Sequence, residues 1–171
     1  GLVGSEMCIR DTSSTAHDPL CERPELDGKP NIITVAWAGT VCTNPPMVSI
    51  SVRPERYSYH LIEESGEFVI NLTTEKLVKA TDYCGVRSGR DVDKFKEMHL
   101  TPLASKHIHA PGIAESPVNI ECKVREIKPL GSHSMILADV VGVTIDDTLL
   151  DEKGKFEFCL LYTSDAADDL T

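Results

Sequence analysis

Four segments of this chain alternate apolar and polar residues with a period of two, and this pattern constrains its fold most. Ile33, Val35 and Trp37 alternate with Thr34 and Ala36, and Val48, Ile50 and Val52 with Ser49 and Ser51. Phe68, Ile70 and Leu72 repeat the pattern, as do Ile120, Cys122 and Val124 against Glu121, Lys123 and Arg125. Successive side chains of a strand point to opposite faces, so one apolar and one polar face predict half-buried antiparallel strands. Residues 135–145, MILADVVGVTI, are almost continuously apolar. They predict a strand covered on both faces, by barrel interior on one side and by a helix or second subunit on the other. Short helices are predicted over 55–65, after Pro54, and over 74–84, capped by Thr73 or Thr74. A third is predicted over 91–98, opened by a capping box from Ser88 to Asp91. Residues 102–117 read as a loop-rich connection. Strands with a few short inserted helices predict a mainly β, Greek-key barrel rather than alternating βαβ units.

With 171 residues, 41% of them hydrophobic, the chain suits one compact domain. Its formal net charge of −10 argues against nucleic acid or an anionic membrane as partner. No run approaches the roughly 18 apolar residues of a membrane span. The six cysteines, at 8, 21, 42, 84, 122 and 159, lack CxxC pairing and regular spacing, which disfavours a disulfide framework or a zinc site. They read as small buried hydrophobes in a reducing cytoplasm. The histidines lack metal-ligand grouping; His107 and His109 share one side of an extended segment without a third ligand. The two ends, GLVGSEMCIRD and CLLYTSDAADDLT, carry no strand or cap logic and resemble peptides translated from sequencing-adapter DNA. Residues 1–12 and 159–171 are therefore expected to be artefactual or disordered tails flanking a truncated domain at 13–158. Cys8, Cys159, Asp165, Asp168 and Asp169 would then carry no functional weight.

Two segments hold the candidate chemistry. In ITVAWAGTVCTNPPMVSISVRP, residues 33–54, the strand pattern breaks after Trp37 into Ala38, Gly39, Thr40, Val41, Cys42 and Thr43. That connection is longer than a hairpin needs. Small residues there let a flat ring approach the backbone, and threonine hydroxyls offer hydrogen bonds. In CGVRSGRDVDKF, residues 84–95, Cys84, Gly85, Arg87, Ser88, Arg90, Lys94 and Phe95 precede or open a helix. Backbone N–H groups, the helix dipole and guanidinium forks there favour an anion such as phosphate. Arg53, Arg56, Tyr57 and Ser58 add a second basic group, and Asn71, followed by Leu72, adds an amide. The alternative is exposed arginines paired with Glu55, Asp91 or Asp93. A planar ring bearing a phosphate describes flavin mononucleotide; pyridoxal phosphate ranks lower, because no lysine placed for a Schiff base can be singled out.

The run NIITVAWAGTVCTNPPMVSISVRPERYSYHLIEESGEFVINL, with DYCGVRSGRDVDKF and SPVNIECKV, resembles the flavin reductase-like FMN-binding family, in its flavoredoxin-type branch, over residues 28–158. The resemblance implies a split β-barrel homodimer with FMN near the subunit interface. It also implies hydride transfer from NADH or NADPH and electron delivery to flavin, metal or a protein acceptor. It places the flavin-contacting segments at 37–43, 53–58, 71–72 and 84–95. GSHSMILADV matches the family segment that sets a histidine, here His133, near the nicotinamide approach. Ser132 stands where many members carry aspartate. His133 and Cys42 are thus the candidate catalytic residues, against a strand-entry histidine bonded to backbone and a cysteine that only packs. The chain also departs from the family where a C-terminal segment usually shapes the active-site mouth. A flavin-binding electron carrier without its own nicotinamide site is the alternative function, and a dimeric interaction domain a third.

Overall fold

A computed structural model describes residues 7–11 (backbone only), 29–153 and 156. Nine strands form, in chain order: β1 (Met7–Asp11), β2 (Asn31–Val35), β3 (Ala38–Thr43), β4 (Pro46–Val52), β5 (Glu67–Leu72), β6 (Pro102–Leu103), β7 (Gly112–Ile113), β8 (Val118–Pro129) and β9 (Ser134–Ile145). Three α-helices lie among them: α1 (Tyr57–Ser65), α2 (Val78–Val86) and α3 (Lys94–Glu97). Seven strands make one antiparallel sheet in the order β2-β1-β5-β8-β9-β4-β3, and β6 pairs with β7. The inner faces meet in a single cluster. Ile33 and Val35 of β2 join Ile50 and Val52 of β4, Phe68 and Ile70 of β5, Cys122 of β8 and Ile136 of β9. Strands far apart in the order thus share one core, so the sheet curls on itself. Burial drives the Cys122 thiol up to about 12, with the Glu121 charge adding to it, and leaves the sulfur an inert core group.

All four alternating segments are strands, and the mainly β architecture with short helices is as expected. Four local readings change. The break after Trp37 is no loop: Ala38–Thr43 is itself a strand, paired to β4 with a bulge between Thr40 and Cys42, and the hairpin turn is only Asn44 and Pro45. Threonine, valine and cysteine are β-compatible, so small residues there mark an edge strand instead of a turn. The helix expected over 91–98 shrinks to Lys94–Glu97, because Asp93 supplies the cap by accepting from Lys96 N at 3.2 Å; Ser88 Oγ instead accepts from Arg90 N within the preceding turn. Thr74 precedes the helical turn at 75–77 without a side-chain cap bond. Met7–Asp11, in a stretch expected to lack strand logic, pairs between β2 and β5; residues 159–171 lie outside the described residues.

At Val141 the outer side of β9 is covered by a strap of the chain's own, residues 105–110. Ile108 and Ala110 pack there against Val69 and Val141. Two glutamates hold the strap. Glu121 accepts from Lys106 N (3.0 Å), His107 N (2.8 Å) and pairs with His107 Nδ1 (3.1 Å); Glu67 accepts from His109 N at 2.8 Å. Burial alone would raise the Glu121 carboxyl, but the two backbone bonds and the imidazole outweigh it and leave it below its ordinary 4.5. A carboxyl depressed on folding contributes stability above its unfolded value, and that contribution is lost as pH falls through the folded one. Glu121→Gln is therefore expected to lower unfolding free energy at pH 7 by about 1–3 kcal/mol. Urea melts should show the mutant's deficit shrinking below pH 4.5; a deficit constant down to the acid limit would contradict this.

Candidate functional site

Two adjoining clefts open where α1 starts beside β2. The larger, about 430 Å³, is lined by residues of β2 (Asn31, Ile33), the turn into α1 (Arg53, Glu55, Arg56), its first turn (Tyr57, Ser58) and the segment from Cys84 to Lys94. The smaller, about 160 Å³, runs from Ile33 to Trp37 and is closed by Ser51, Val52 and His133. Ile33, Arg53 and Arg56 belong to both, so together they form one furrow with a common wall.

At the basic end, α1 begins with Arg56 as N-cap, without a side-chain cap bond and without an acidic residue in its first turn. Cations at a helix N-terminus oppose the dipole. Nevertheless, none of Arg53, Arg56, Arg87 or Arg90 forms an ion pair with a carboxylate among the described residues, and Arg90 instead sits 5.8 Å over the Tyr57 ring. The alternative pairing with Glu55, Asp91 or Asp93 does not form among the described residues. The dipole assignment changes too. Cys84 and Gly85 lie in the last turn of α2, its carbonyl end, and α3 has only four residues. The helix N-terminus that faces the cleft belongs to α1. Proline at 54 and two arginines ahead of an acid-free first turn were the legible signal for it.

The floor is built from polar groups tied across elements. Asn31, almost fully buried, donates from Nδ2 to Ser58 Oγ at 2.7 Å. A Cβ on Gly89 would lie 2.2 Å from Asn31 Oδ1, so only glycine lets the 87–90 turn close onto β2. Lys94, also buried, donates from Nζ to Ile32 O (2.5 Å) and Cys84 O (2.8 Å), fastening β2 to α2. Below it, Phe95, Cys84, Ile32 and Ile113 form a small separate core. Sequence reasoning missed Asn31, Ile33 and Gly89; only Gly89, within a residue pattern SGR, carried any sign of close packing.

At the other end Trp37, 60% exposed, stacks on His133 with ring centroids 4.4 Å apart and planes tilted by 49°. Ser132 Oγ and His133 Nδ1 share a 3.0 Å hydrogen bond. A hydroxyl thus occupies the orienting position next to the imidazole.

Of the other sequence candidates, Arg53, Tyr57, Ser58, Cys84, Arg87, Ser88 and Lys94 line the larger cleft, and Trp37 the smaller. The rest fall elsewhere. Ala38, Gly39, Thr40, Val41 and Cys42 follow the edge strand β3, outside both linings, with open space where a Gly39 side chain would stand. Asn71 Oδ1 accepts from Ile113 N at 3.0 Å and so holds β7, and Leu72 lies in the main core. Gly85 packs on Thr34 and Phe95 beneath the floor. Among the described residues no group of three metal-ligating side chains occurs, and no helix is long and apolar enough to cross a membrane.

The family model for the flavin reductase like domain matches residues 14–171. A relative from Archaeoglobus fulgidus is 32% identical over 130 residues, covering 76% of this chain and 73% of its own. Flavoredoxin of Desulfovibrio vulgaris superposes with a TM-score of 0.79 at 29% identity, over 92% of this chain and 78% of that one. Flavoredoxin from Methanosarcina acetivorans gives 0.75 at 25%, over 92% and 76%. The chain belongs to the flavin reductase-like family, and its curled sheet is that family's split barrel.

Gly89→Ala is expected to force Asn31 or the 87–90 turn aside at a cost of about 1–3 kcal/mol. Thermal unfolding compared with Gly39→Ala, where space is open, checks it; equal melting of the two variants would contradict the close approach.

Proposed function

We propose that the chain is an FMN-dependent oxidoreductase that takes hydride from NADH or NADPH and passes electrons onward. The observation that carries this reading is the furrow itself. A basic end whose arginines form no ion pair with a carboxylate among the described residues joins, through Arg53 and Arg56, an aromatic end built from Trp37 and His133. The donor set fits the cofactor. The uncapped N–H groups of α1 and the Arg53 and Arg56 forks suit a phosphomonoester, and the smaller compartment beside them, lined by Ile33, Trp37, Val52 and His133, suits an aromatic ring.

Bound there, FMN would supply the hydride-accepting chemistry. The chain's own part is positional. Arg56 and the first turn of α1 bind the phosphate; Ile33 and Val52 present apolar surface to the ring and exclude water. Trp37 gives the nicotinamide a face to stack on. His133 has its Nδ1 engaged by Ser132, which leaves Nε2 as the nitrogen that hydrogen-bonds the co-substrate or a charge developing beside it. The reading gives Cys42 no step. It pairs two copies of the chain through apolar side chains that one copy leaves exposed, such as Val41 on the edge strand β3 and Val143.

Arg56→Gln is expected to weaken FMN binding roughly 10- to 100-fold, as loss of a charge-assisted bond implies, while riboflavin binding changes little. Flavin fluorescence quenching measures both. NADH or NADPH should bleach the visible band of the loaded wild-type protein under anaerobic conditions. Bound flavin that neither nucleotide reduces would overturn the hydride-transfer step and favour an electron carrier reduced by another protein.

A further inference from the structure

The segment between α3 and β8 leaves the barrel and is tied back to it by side chains. Its two short strands, β6 and β7, form a two-stranded sheet of their own. Asn71 on β5 and Asn119 on β8 stand directly opposite each other in register, and both are buried. Their carboxamide oxygens accept from one and the same donor, Ile113 N, at 3.0 Å and 2.9 Å. Asn71 Nδ2 donates in turn to Val69 O at 3.3 Å and Asn119 Nδ2 to Ser116 O at 3.0 Å, so each amide turns its oxygen toward β7. A Cβ on Gly112 would stand 2.3 Å from Asn119 Oδ1, and only glycine lets β7 approach that closely. One acceptor would satisfy the Ile113 N–H. The second fixes where Ile113 sits.

What Ile113 holds is the underside of the larger cleft. Its side chain, 2% exposed, closes the small core of Ile32, Cys84 and Phe95. Those three residues bear directly on Lys94: Phe95 follows it in sequence, and Lys94 Nζ donates to the carbonyls of Ile32 and Cys84. Cys84 and Lys94 line the larger cleft but not the smaller one. Close-packed interiors transmit displacement instead of absorbing it. A shift of Ile113 therefore moves the carbonyls that hold the ammonium, and the residue next to it. Asn71 and Asn119 themselves line neither cleft.

We infer that Asn71 and Asn119 are a positioning pair for the floor of the larger cleft, acting through Ile113 on Lys94 and Cys84 without touching ligand. Its consequence for FMN rests on the reading in the preceding subsection. Glu121, two residues along β8 from Asn119, holds the same excursion at Lys106 N and His107 N instead. Loss of the Glu121 bonds loosens the strap and leaves both acceptors of Ile113 in place, which makes Glu121→Gln the destabilised control.

The experiment compares wild type, Asn71→Leu, Asn119→Leu, the double variant and Glu121→Gln, each first shown to be folded by circular dichroism. Leucine is close to the carboxamide in size and accepts no hydrogen bond. Hydrogen exchange is followed without flavin at the α3 amides Glu97, Met98 and Leu100, which bond to Asp93 O, Lys94 O and Phe95 O. FMN affinity is read by fluorescence quenching. Each single variant keeps one acceptor for Ile113 N and should weaken FMN by about threefold to tenfold. The double variant leaves that donor buried without an acceptor, so its loss should exceed the product of the single losses by at least about threefold. Exchange at the three α3 amides should quicken in the same order, while Glu121→Gln leaves both exchange there and FMN affinity as in wild type. If the double variant does not fold, the single variants against Glu121→Gln decide. The inference fails if the single variants leave α3 exchange unchanged, or if Glu121→Gln loses FMN by the same factor, since affinity would then follow stability alone. A wild type that binds no FMN would overturn the proposed function, and α3 exchange would still decide whether the pair positions the floor.

Discussion

Arginines that line one cleft without an ion pair to any carboxylate among the described residues are the constraint around which this fold is arranged. Arg53 and Arg56 stand at the positive end of α1, and Arg87 faces the same cleft, in a chain with net charge −10 that has carboxylates to spare. Elsewhere those carboxylates are used: Arg125 meets Asp139 at 2.8 Å, and Glu121 and Glu67 hold the strap. A guanidinium cluster without an ion pair among the described residues, amid such a surplus, is destabilising in isolation. It is relieved when an anion enters, so occupancy and fold stability are linked by mass action.

The strand β2 makes that arrangement rigid. Its alternate residues Ile33 and Val35 enter the barrel core, while Ile32 enters the small cluster with Cys84, Phe95 and Ile113. The strand therefore separates two apolar bodies and presents its N-terminal residue, Asn31, to the cleft between them. Lys94 and Asn31 then stitch α2, α3 and α1 onto it through buried polar bonds. Buried polar groups of this kind are costly unless satisfied, and here each one ties a wall of the cleft to the same strand.

What the sequence disclosed, and what it hid, follows from the range of each interaction. Period-two alternation is a local signal reinforced by burial on one face, so the strands containing Ile33, Ile50, Ile70 and Ile120 were legible. The basic segments were legible by composition, and both line one cleft. The edge strand β3 was misread because small residues suit both a ligand loop and an exposed strand, and only pairing with β4 decides between them. The contribution of Asn31 and the obligatory hydrogen at Gly89 depend on a contact between residues 58 apart in number, which no local pattern encodes. Which helix terminus opens on the cleft is likewise a tertiary matter: residues 84 and 85 close α2, and the terminus beside the cleft is that of α1, before residue 57.

That relocation alters how selectivity arises. A glycine-rich loop wrapped on a phosphate would recognise it chiefly through backbone N–H groups, which any phosphate ester satisfies. On the proposed reading, the backbone donors of α1 would be augmented by side-chain forks, and guanidinium groups would read number and spacing of anionic oxygens through their fixed planar geometry. The aromatic end is similarly side-chain built, from Trp37 and an imidazole oriented by a serine hydroxyl. A barrel that supplies only walls, and leaves recognition to side chains projecting from them, can change ligand by exchanging a few residues while its core cluster stays intact.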